Sequence, residues 1–477
     1  MAVDTATSTA SSFVTVPGDR HSEVGRTLAE PVPQSLSVAD QFGLWGNLGV
    51  SLLGFTGAMF VLQPFGHGTP ELSLAAGLTA VVAGTLLGTL PVALTAVQGA
   101  RTGAPAMVLL RGLFGARLSY LPTVINIVQC VGWAVFELVT ISTAAGAIVG
   151  HVAPHTVPRW AFVLFGGVVT ALFTIHPLGA IRVLRRYATV AVLIVMAYLF
   201  VQLLRNPLPA FGHGTWSGFW IATDTVVGAG ISWVPLAADY TRHSRSSRSA
   251  FAGAIAGYSV TQVLCYAIGL FALVTVARGD PNQIWGAFIA LPAGTLAFAI
   301  LAARELDQSF ADVYSTAVSI QNLRPMWDRR VLAGLITVLS TAGALWLNIN
   351  AYQNFLFLIG SVFVPLSAVL VVDFFVISRG RWDLSAGARA RWLMLVPWAL
   401  GFVMYQLVNP GSVAWWASAW ASFARSIHFS TQPWMSASIL SFVVAGVATL
   451  LFGWLARRLG RDRRDAGREA GTVRSAR

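Results

Sequence analysis

The stretch TDTVVGAGISWVPLAADYTRH, residues 223 to 243, carries Gly228, Gly230 and Pro235 in the middle of a run otherwise apolar enough to lie in a bilayer. Proline has no amide hydrogen, so Pro235 leaves the carbonyl of Ile231, four residues earlier, without its helical partner. In hydrocarbon that acceptor must be satisfied elsewhere, by protein, ion or guest. A Gly- and Pro-interrupted span is therefore a pointer to a transport site. An earlier segment, GNLGVSLLGFTGAMF at 46 to 60, places Gly46, Gly49, Gly54 and Gly57 along one helix, with a break expected at Gly54 to Gly57 beside Thr56. Small residues so spaced also suit close helix packing without unwinding, and that segment alone decides nothing. As first and sixth spans, the two segments sit five helices apart, the arrangement of two inverted five-helix repeats.

The rest of the chain agrees with a bilayer as solvent. Of its 477 residues 56% are hydrophobic and 10% charged, too little polar surface to face water. Runs of about 20 apolar residues number about twelve: near 43–65, 74–98, 119–149, 160–177, 187–205, 219–240, 250–277, 293–322, 331–350, 354–378, 392–409 and 436–457. The run at 283–291 is too short to span and is expected at the interface. The fold class expected is thus an all-α polytopic membrane protein: a transporter domain at 39–458, with repeats at about 43–205 and 219–378 and extra helices at 392–457.

All 31 basic residues are arginine. With a cytoplasmic N-terminus, only Arg159, Arg205, Arg278 and Arg425 fall in outside loops, and clusters such as Arg182, Arg185 and Arg186 or Arg242, Arg245 and Arg248 fall inside. This bias places both termini in the cytoplasm of a multi-pass plasma-membrane protein. The net charge of +12 is then explained by anionic lipid headgroups, and no nucleic acid is expected as a partner. Residues 1–38, rich in Ser, Thr and Pro, are expected to form a disordered cytoplasmic tail, and 459–477 a basic one. Cys130 and Cys265 lie inside spans, and no zinc, phosphate-loop or nucleophile-elbow motif occurs. No cofactor, metal or enzymatic activity is expected.

Several segments together resemble the nucleobase:cation symporter family 1, which contains cytosine, purine, allantoin and hydantoin permeases. They are GLWGNLGVSLLGFTGAMF, GAPAMVLLRGLFGARLSYLPTVIN, VQCVGW, GISWVPLAADYTRH, DVYSTAVSIQNL and NAYQNFLFLIGSVFVPLSAVLVVDFF, between about Ser37 and Asp383. The resemblance implies the leucine-transporter fold, and the span count agrees with it.

An aromatic heterocycle is held well between two indole faces, which leave its edge free for hydrogen bonds. Trp133 and Trp233, each near the middle of its span, are the candidates, in regions where the resemblance places aromatic residues. Gln129 and Glu137 lie one helical turn either side of Trp133 and share its face. Gln129 offers both a donor and an acceptor, and Gly230 and Ser232 sit at the interruption of the sixth span. Glu137, a carboxyl at membrane depth, is expected to face a cavity or a partner as substrate contact, proton carrier or ion-pair member.

ILAARELDQSFADVYS, residues 300 to 315, gathers Arg304, Glu305, Asp307 and Asp312 after a long apolar run. Arg304, Gln308, Asp312 and Ser315 share one helix side, which cannot face lipid, where each charge costs on the order of 2.5–3.5 kcal/mol. By the resemblance, sodium-coupled relatives carry hydroxyl residues near the positions of Asp307 and Gln308, which act with backbone carbonyls of the first span. The departure here predicts that Arg304 stands in or near the sodium position, balanced by Asp307 or Glu305, so that coupling is to protons or absent. A buried salt-bridge network that locks the helix is the alternative. Gly54 and Thr56 complete the expected ion-coupling set, with sodium a possible second ion. Asp312, where the family often has asparagine, would favour an amino-bearing base because a carboxylate accepts but cannot donate. Asn350 and Asn354 are expected to gate the outer vestibule, and Asp373 to pair with a loop arginine.

The function expected is import of a nucleobase or related heterocycle by alternating access. An amino-acid or amine permease of the same fold is the alternative. A membrane-embedded enzyme or sensor would need a catalytic motif or output domain, neither of which is evident in the sequence.

Overall fold

The computed structural model describes residues 33–66, 71–153, 157–175, 179–278, 280, 283–324, 326–347 and 349–455; the side chains of 179–189 and of Asp307 lie outside the described set. The first elements are α1 (Val38–Leu48) and α2 (Leu52–Leu62), two halves of one span bent by 61°. Ser37 caps α1 in a reciprocal capping box with Asp40, and Ser51 caps α2 by accepting from the amide of Leu53. The break therefore falls at Gly49 to Ser51. The expectation of a break at Gly54 to Gly57 is wrong: both glycines lie inside α2, where they let it approach a later helix closely.

There follow α3 (Leu74–Thr102), α4 (Ala106–Phe114), α5 (Tyr120–Val152), α6 (Arg159–Ile175) and α7 (Gly179–Leu204). The second repeat opens with the other broken span, α8 (Phe219–Ile231) and α9 (Ala237–Thr241), and continues with α10 (Ser247–Thr275), α11 (Ile284–Ile289), α12 (Gly294–Leu323), α13 (Arg329–Trp346) and α14 (Tyr352–Val372). Last come α15 (Leu395–Val408), α16 (Ala414–Ser426) and α17 (Ala437–Leu455). Among the described residues, five helices and the bent α1–α2 pair are individually long and apolar enough to span. With the broken α8–α9, the long charge-bearing α12 and the shorter α6, α7, α13 and α15, the twelve-helix transporter fold is complete. Among the described residues three short helices, α4, α11 and α16, lie outside that count. α11 packs Ile284, Ala287, Phe288 and Ile289 inward against α10 and α12, and α16 buries nothing.

Packing follows the repeat. α1 and α2 lie on α10, and α3 lies on α8 and α10, so the first two spans of each repeat form one bundle. α5 lies on α12 and α6 on α13, so the third and fourth spans form a second group, a scaffold. Val331, Leu335, Val338 and Leu339 on α13, and Val443, Val447 and Leu451 on α17, are exposed apolar side chains of the kind lipid covers. Of the expected disordered tail, residues 33–38 are ordered: Leu36 pairs with the segment after α9 through Leu36 N to His243 O (2.9 Å) and Arg245 N to Leu36 O (3.0 Å). The remainder of both tails lies outside the described residues.

α2 and α10 touch through glycine. A Cβ on Gly57 would sit 2.7 Å from the Tyr266 hydroxyl, and one on Gly54 3.0 Å from the Cys265 Cβ. Gly57→Val should therefore cost about 1–3 kcal/mol by overpacking. Thermal unfolding in detergent should show a lower Tm for this variant and none for Gly43→Val, where a Cβ meets nothing within 4 Å.

Candidate functional site

The break between α1 and α2 opens peptide groups in the interior, and α12 closes them. Arg304 donates through Nε to Asn47 Oδ1 at 3.0 Å and through its terminal nitrogen to the Asn47 carbonyl. Gln308 Nε2 donates to the carbonyls of Leu48 (2.5 Å) and Val50 (2.9 Å). Glu305 accepts from the Ser51 hydroxyl at 2.6 Å and from the Leu52 amide at 2.9 Å on both oxygens. Three adjacent polar positions of one scaffold helix thus satisfy the free backbone of the first bundle span. Arg304, Glu305 and Gln308 come together here as a set. Thr56 does not join them: its hydroxyl bonds back to the Leu52 carbonyl of its own helix. The side chain of Asp307 lies outside the described residues.

The second break behaves differently. Ile231 is not left open by Pro235, because the Val234 amide reaches its carbonyl at 3.0 Å in a tight turn, and Trp233 N to Gly230 O and Leu236 N to Trp233 O continue the turns. The expectation that a guest must satisfy Ile231 is corrected. The Ser232 carbonyl receives help from another element, at 2.9 Å from Gln129 Nε2. Gln129 is spent on this brace and on Asn126 (3.0 Å), and it does not line the cavity described next. The Ser232 hydroxyl turns back to the Ala229 carbonyl at 2.6 Å.

Between the two breaks lies a small central cavity of about 40 Å³. Gly49, Gly54, Ser232, Trp233, Tyr258, Gln262, Tyr266, Gln308, Asp312, Trp133, Glu137 and Tyr352 contribute to its wall. Trp133 and Trp233 are both turned inward and are each only 8% exposed. Trp233 is wedged at 6.0 Å from Trp45 and donates to the Tyr258 hydroxyl at 3.0 Å. Trp133 meets the rings of Tyr352 (5.8 Å) and Phe355 (5.3 Å) edge-on. Four wall residues, two each from α5 and α10, present buried polar atoms with no hydrogen-bond partner among the described residues: Trp133 Nε1, Glu137 Oε2, Gln262 Oε1 and the Tyr266 hydroxyl. Native proteins leave few such atoms. A wall of ring faces with convergent unpaired donors and acceptors has the chemistry to hold a flat, polar-edged molecule.

Both ends of the cavity are covered. On the arginine-rich side, the Tyr240 hydroxyl on α9 reaches the Ala311 carbonyl (3.3 Å) and lies 3.1 Å from the Ser315 hydroxyl, and Asp239 accepts from the first amide of α4, Ala106, at 2.9 Å. On the other side Tyr352 and Phe355 of α14 lie over Trp133. Asn354 looks away from the cavity, with its Oδ1 2.8 Å from the Ser412 amide in the loop before α16, and Asn350 is exposed. The rings of α14, not its asparagines, cover the entrance. Asp373, at the far end of α14, pairs with the loop residue Arg391, whose two terminal nitrogens lie 2.5 and 3.0 Å from its oxygens.

Sequence reasoning missed Gln262, Tyr258, Tyr266 and Tyr352. Each lies in a long apolar run, and Gln262 carried the one legible signal, an amide in the middle of a span.

Two broken spans at equivalent places in inverted repeats, facing each other across a closed cavity, define the architecture of an inverted-repeat secondary transporter. Known proteins agree. Residues 65–391 match the family described as permeases for cytosine/purines, uracil, thiamine and allantoin, and the chain belongs to that family. The cytosine permease of Escherichia coli K12 is 24% identical over 380 residues, 78% of this chain and 86% of that protein. The Saccharomyces cerevisiae purine-cytosine permease FCY21 is 26% identical over 314 residues, 60% of this chain, which spans 57% of that relative's length. In three dimensions the chain is similar to Mhp1, a nucleobase-cation-symport-1 family transporter, in a closed conformation with bromovinylhydantoin bound. The TM-score is 0.68 at 18% identity, over 92% of this chain and 95% of that one.

Gln308→Leu leaves two buried carbonyls without donors, and each should cost about 1–3 kcal/mol. The expected outcome is a lower thermal unfolding midpoint in detergent and faster protease cleavage near the α1–α2 break.

Proposed function

We propose that this chain is a plasma-membrane permease, with both termini in the cytoplasm, that imports a nucleobase or related planar heterocycle by alternating access. The observation that carries the reading is the set of four unpaired polar atoms on a ring-walled cavity at the meeting of two broken spans. At about 40 Å³ the cavity holds only a few waters, so the wall must give way to admit a base. Tyr352 and Phe355 on one side and Tyr240 on the other are the covers that would part in turn. The names of the relatives, cytosine and purine-cytosine permeases, support this substrate class.

Trp133 and Trp233 would stack on the base, with Glu137, Gln262 and Asp312 along its edge. Base–aromatic stacking is worth about 1–3 kcal/mol per ring. Trp133→Ala and Trp233→Ala in proteoliposomes should each weaken binding roughly 5- to 150-fold. In a screen of cytosine, adenine, uracil and allantoin, the amino-bearing bases should bind most tightly, because Asp312 can accept from an exocyclic amine. Unchanged affinity in both tryptophan variants would refute the site.

Coupling is to protons and not to sodium. The carbonyls of Asn47, Leu48 and Val50, which an ion at the first break would need, already accept from Arg304 and Gln308. Uptake should survive replacement of sodium by choline and collapse when a protonophore dissipates the pH gradient; strict sodium dependence overturns this.

A further inference from the structure

We propose that Gln262 accepts a hydrogen bond from the ring N–H at the end of the base opposite its exocyclic amine, the nitrogen that bears the sugar in a nucleoside. Free bases are thereby admitted and N-substituted ones refused. The proposal rests on the permease reading and deepens it.

Tyr258, Gln262 and Tyr266 recur every fourth residue of α10 and share one face of that helix, the face turned to the cavity. Each does something different there. The Tyr258 hydroxyl accepts from Trp233 Nε1 at 3.0 Å and sets that ring for stacking. The Tyr266 hydroxyl lies against α2, 2.7 Å from where a Cβ on Gly57 would sit. Gln262, only 3% exposed, reaches toward the end of α8: its Oε1 lies 3.6 Å from where a Cβ on Gly230 would sit and has no hydrogen-bond partner among the described residues.

The orientation of the amide is fixed. Gln262 Nε2 donates to the Val226 carbonyl of α8 at 3.3 Å. A flipped amide would set its oxygen against that carbonyl, acceptor against acceptor, so the oxygen is the end left for a guest. Neighbouring polar groups of the bundle are already spent: Trp233 Nε1 on Tyr258, and the Ser232 hydroxyl on the Ala229 carbonyl.

Gln262 belongs to the bundle and Asp312 to the scaffold, and both line the cavity. A flat guest between Trp133 and Trp233 therefore meets one acceptor from each body. Cytosine and adenine carry an amine at one end of the ring system and a ring N–H at the other, so both ends can donate. A sugar or methyl group on that ring nitrogen removes the second donor and leaves the Gln262 oxygen buried and unpaired. A site with a buried polar group left unpaired rejects the analogue strongly.

Equilibrium binding to the full-length protein in detergent tests this with cytosine against 1-methylcytosine and adenine against 9-methyladenine. In the wild type each methylated base should bind roughly 5- to 150-fold more weakly than its parent. Gln262→Leu removes the acceptor at similar volume; it should weaken cytosine by a like factor and bring parent and methylated bases within about twofold of each other. A methyl group refused for its bulk alone would still be refused by the leucine variant, and that result overturns the proposal. So does a wild type that binds 1-methylcytosine as tightly as cytosine, a comparison that needs no variant to fold. A wild type that binds none of the four bases faults the permease reading itself, and this proposal with it.

Discussion

A peptide group opened inside a bilayer has no water to turn to, and an unsatisfied one costs several kcal/mol. The first span of this protein opens three such groups around Gly49 to Ser51: the carbonyls of Leu48 and Val50 and the amide of Leu52. Glu305 and Gln308 satisfy all three, and Arg304 adds a donor to the Asn47 carbonyl, which also accepts from the Val50 amide at 3.3 Å. The cost of placing Arg304 and Glu305 at membrane depth, on the order of 2.5–3.5 kcal/mol each, is set against several kcal/mol for each of three open peptide groups. The charge cluster on α12 and the break in the first span therefore require each other, and their junction is also the contact between bundle and scaffold.

The two repeats solve the same problem in different ways. The break after α8 is largely closed by its own tight turns, with Val234 on Ile231 and Trp233 on Gly230. At the break itself the scaffold adds the brace of Gln129 on Ser232. One hinge is thus held by side chains that can ionise or move, and the other by local geometry. The turns of the second present Trp233 to the cavity.

Local chemistry explains where the sequence could be read correctly and where it could not. The inward placement of Trp133, Trp233 and Glu137 follows from mid-span position and helical spacing. The break in the first span was misplaced because glycine marks both unwinding and close approach; Gly54 and Gly57 serve the second against Cys265 and Tyr266. Ser51, the helix cap, was the better signal. Gln129 shares a helix face with Trp133, yet its amide is taken by the Ser232 carbonyl, a partner that local spacing does not reveal. Likewise Asn354 was legible as polar near an entrance, but its direction, toward Ser412, depends on a loop more than fifty residues away.

By itself the sequence determined the solvent, the number of spans, the arginine bias between the two sides and the requirement that the polar face of α12 turn inward. Each of these follows from hydropathy or periodicity within a few turns of helix. Only the tertiary structure decided which peptide groups that face would satisfy, which wall atoms remain unpaired and which rings cover the cavity. Those contacts join residues more than 250 positions apart, such as Leu52 with Glu305 and Leu48 with Gln308. Hydrogen-bond partnership at that separation is set by how the repeats pack, which no local pattern encodes.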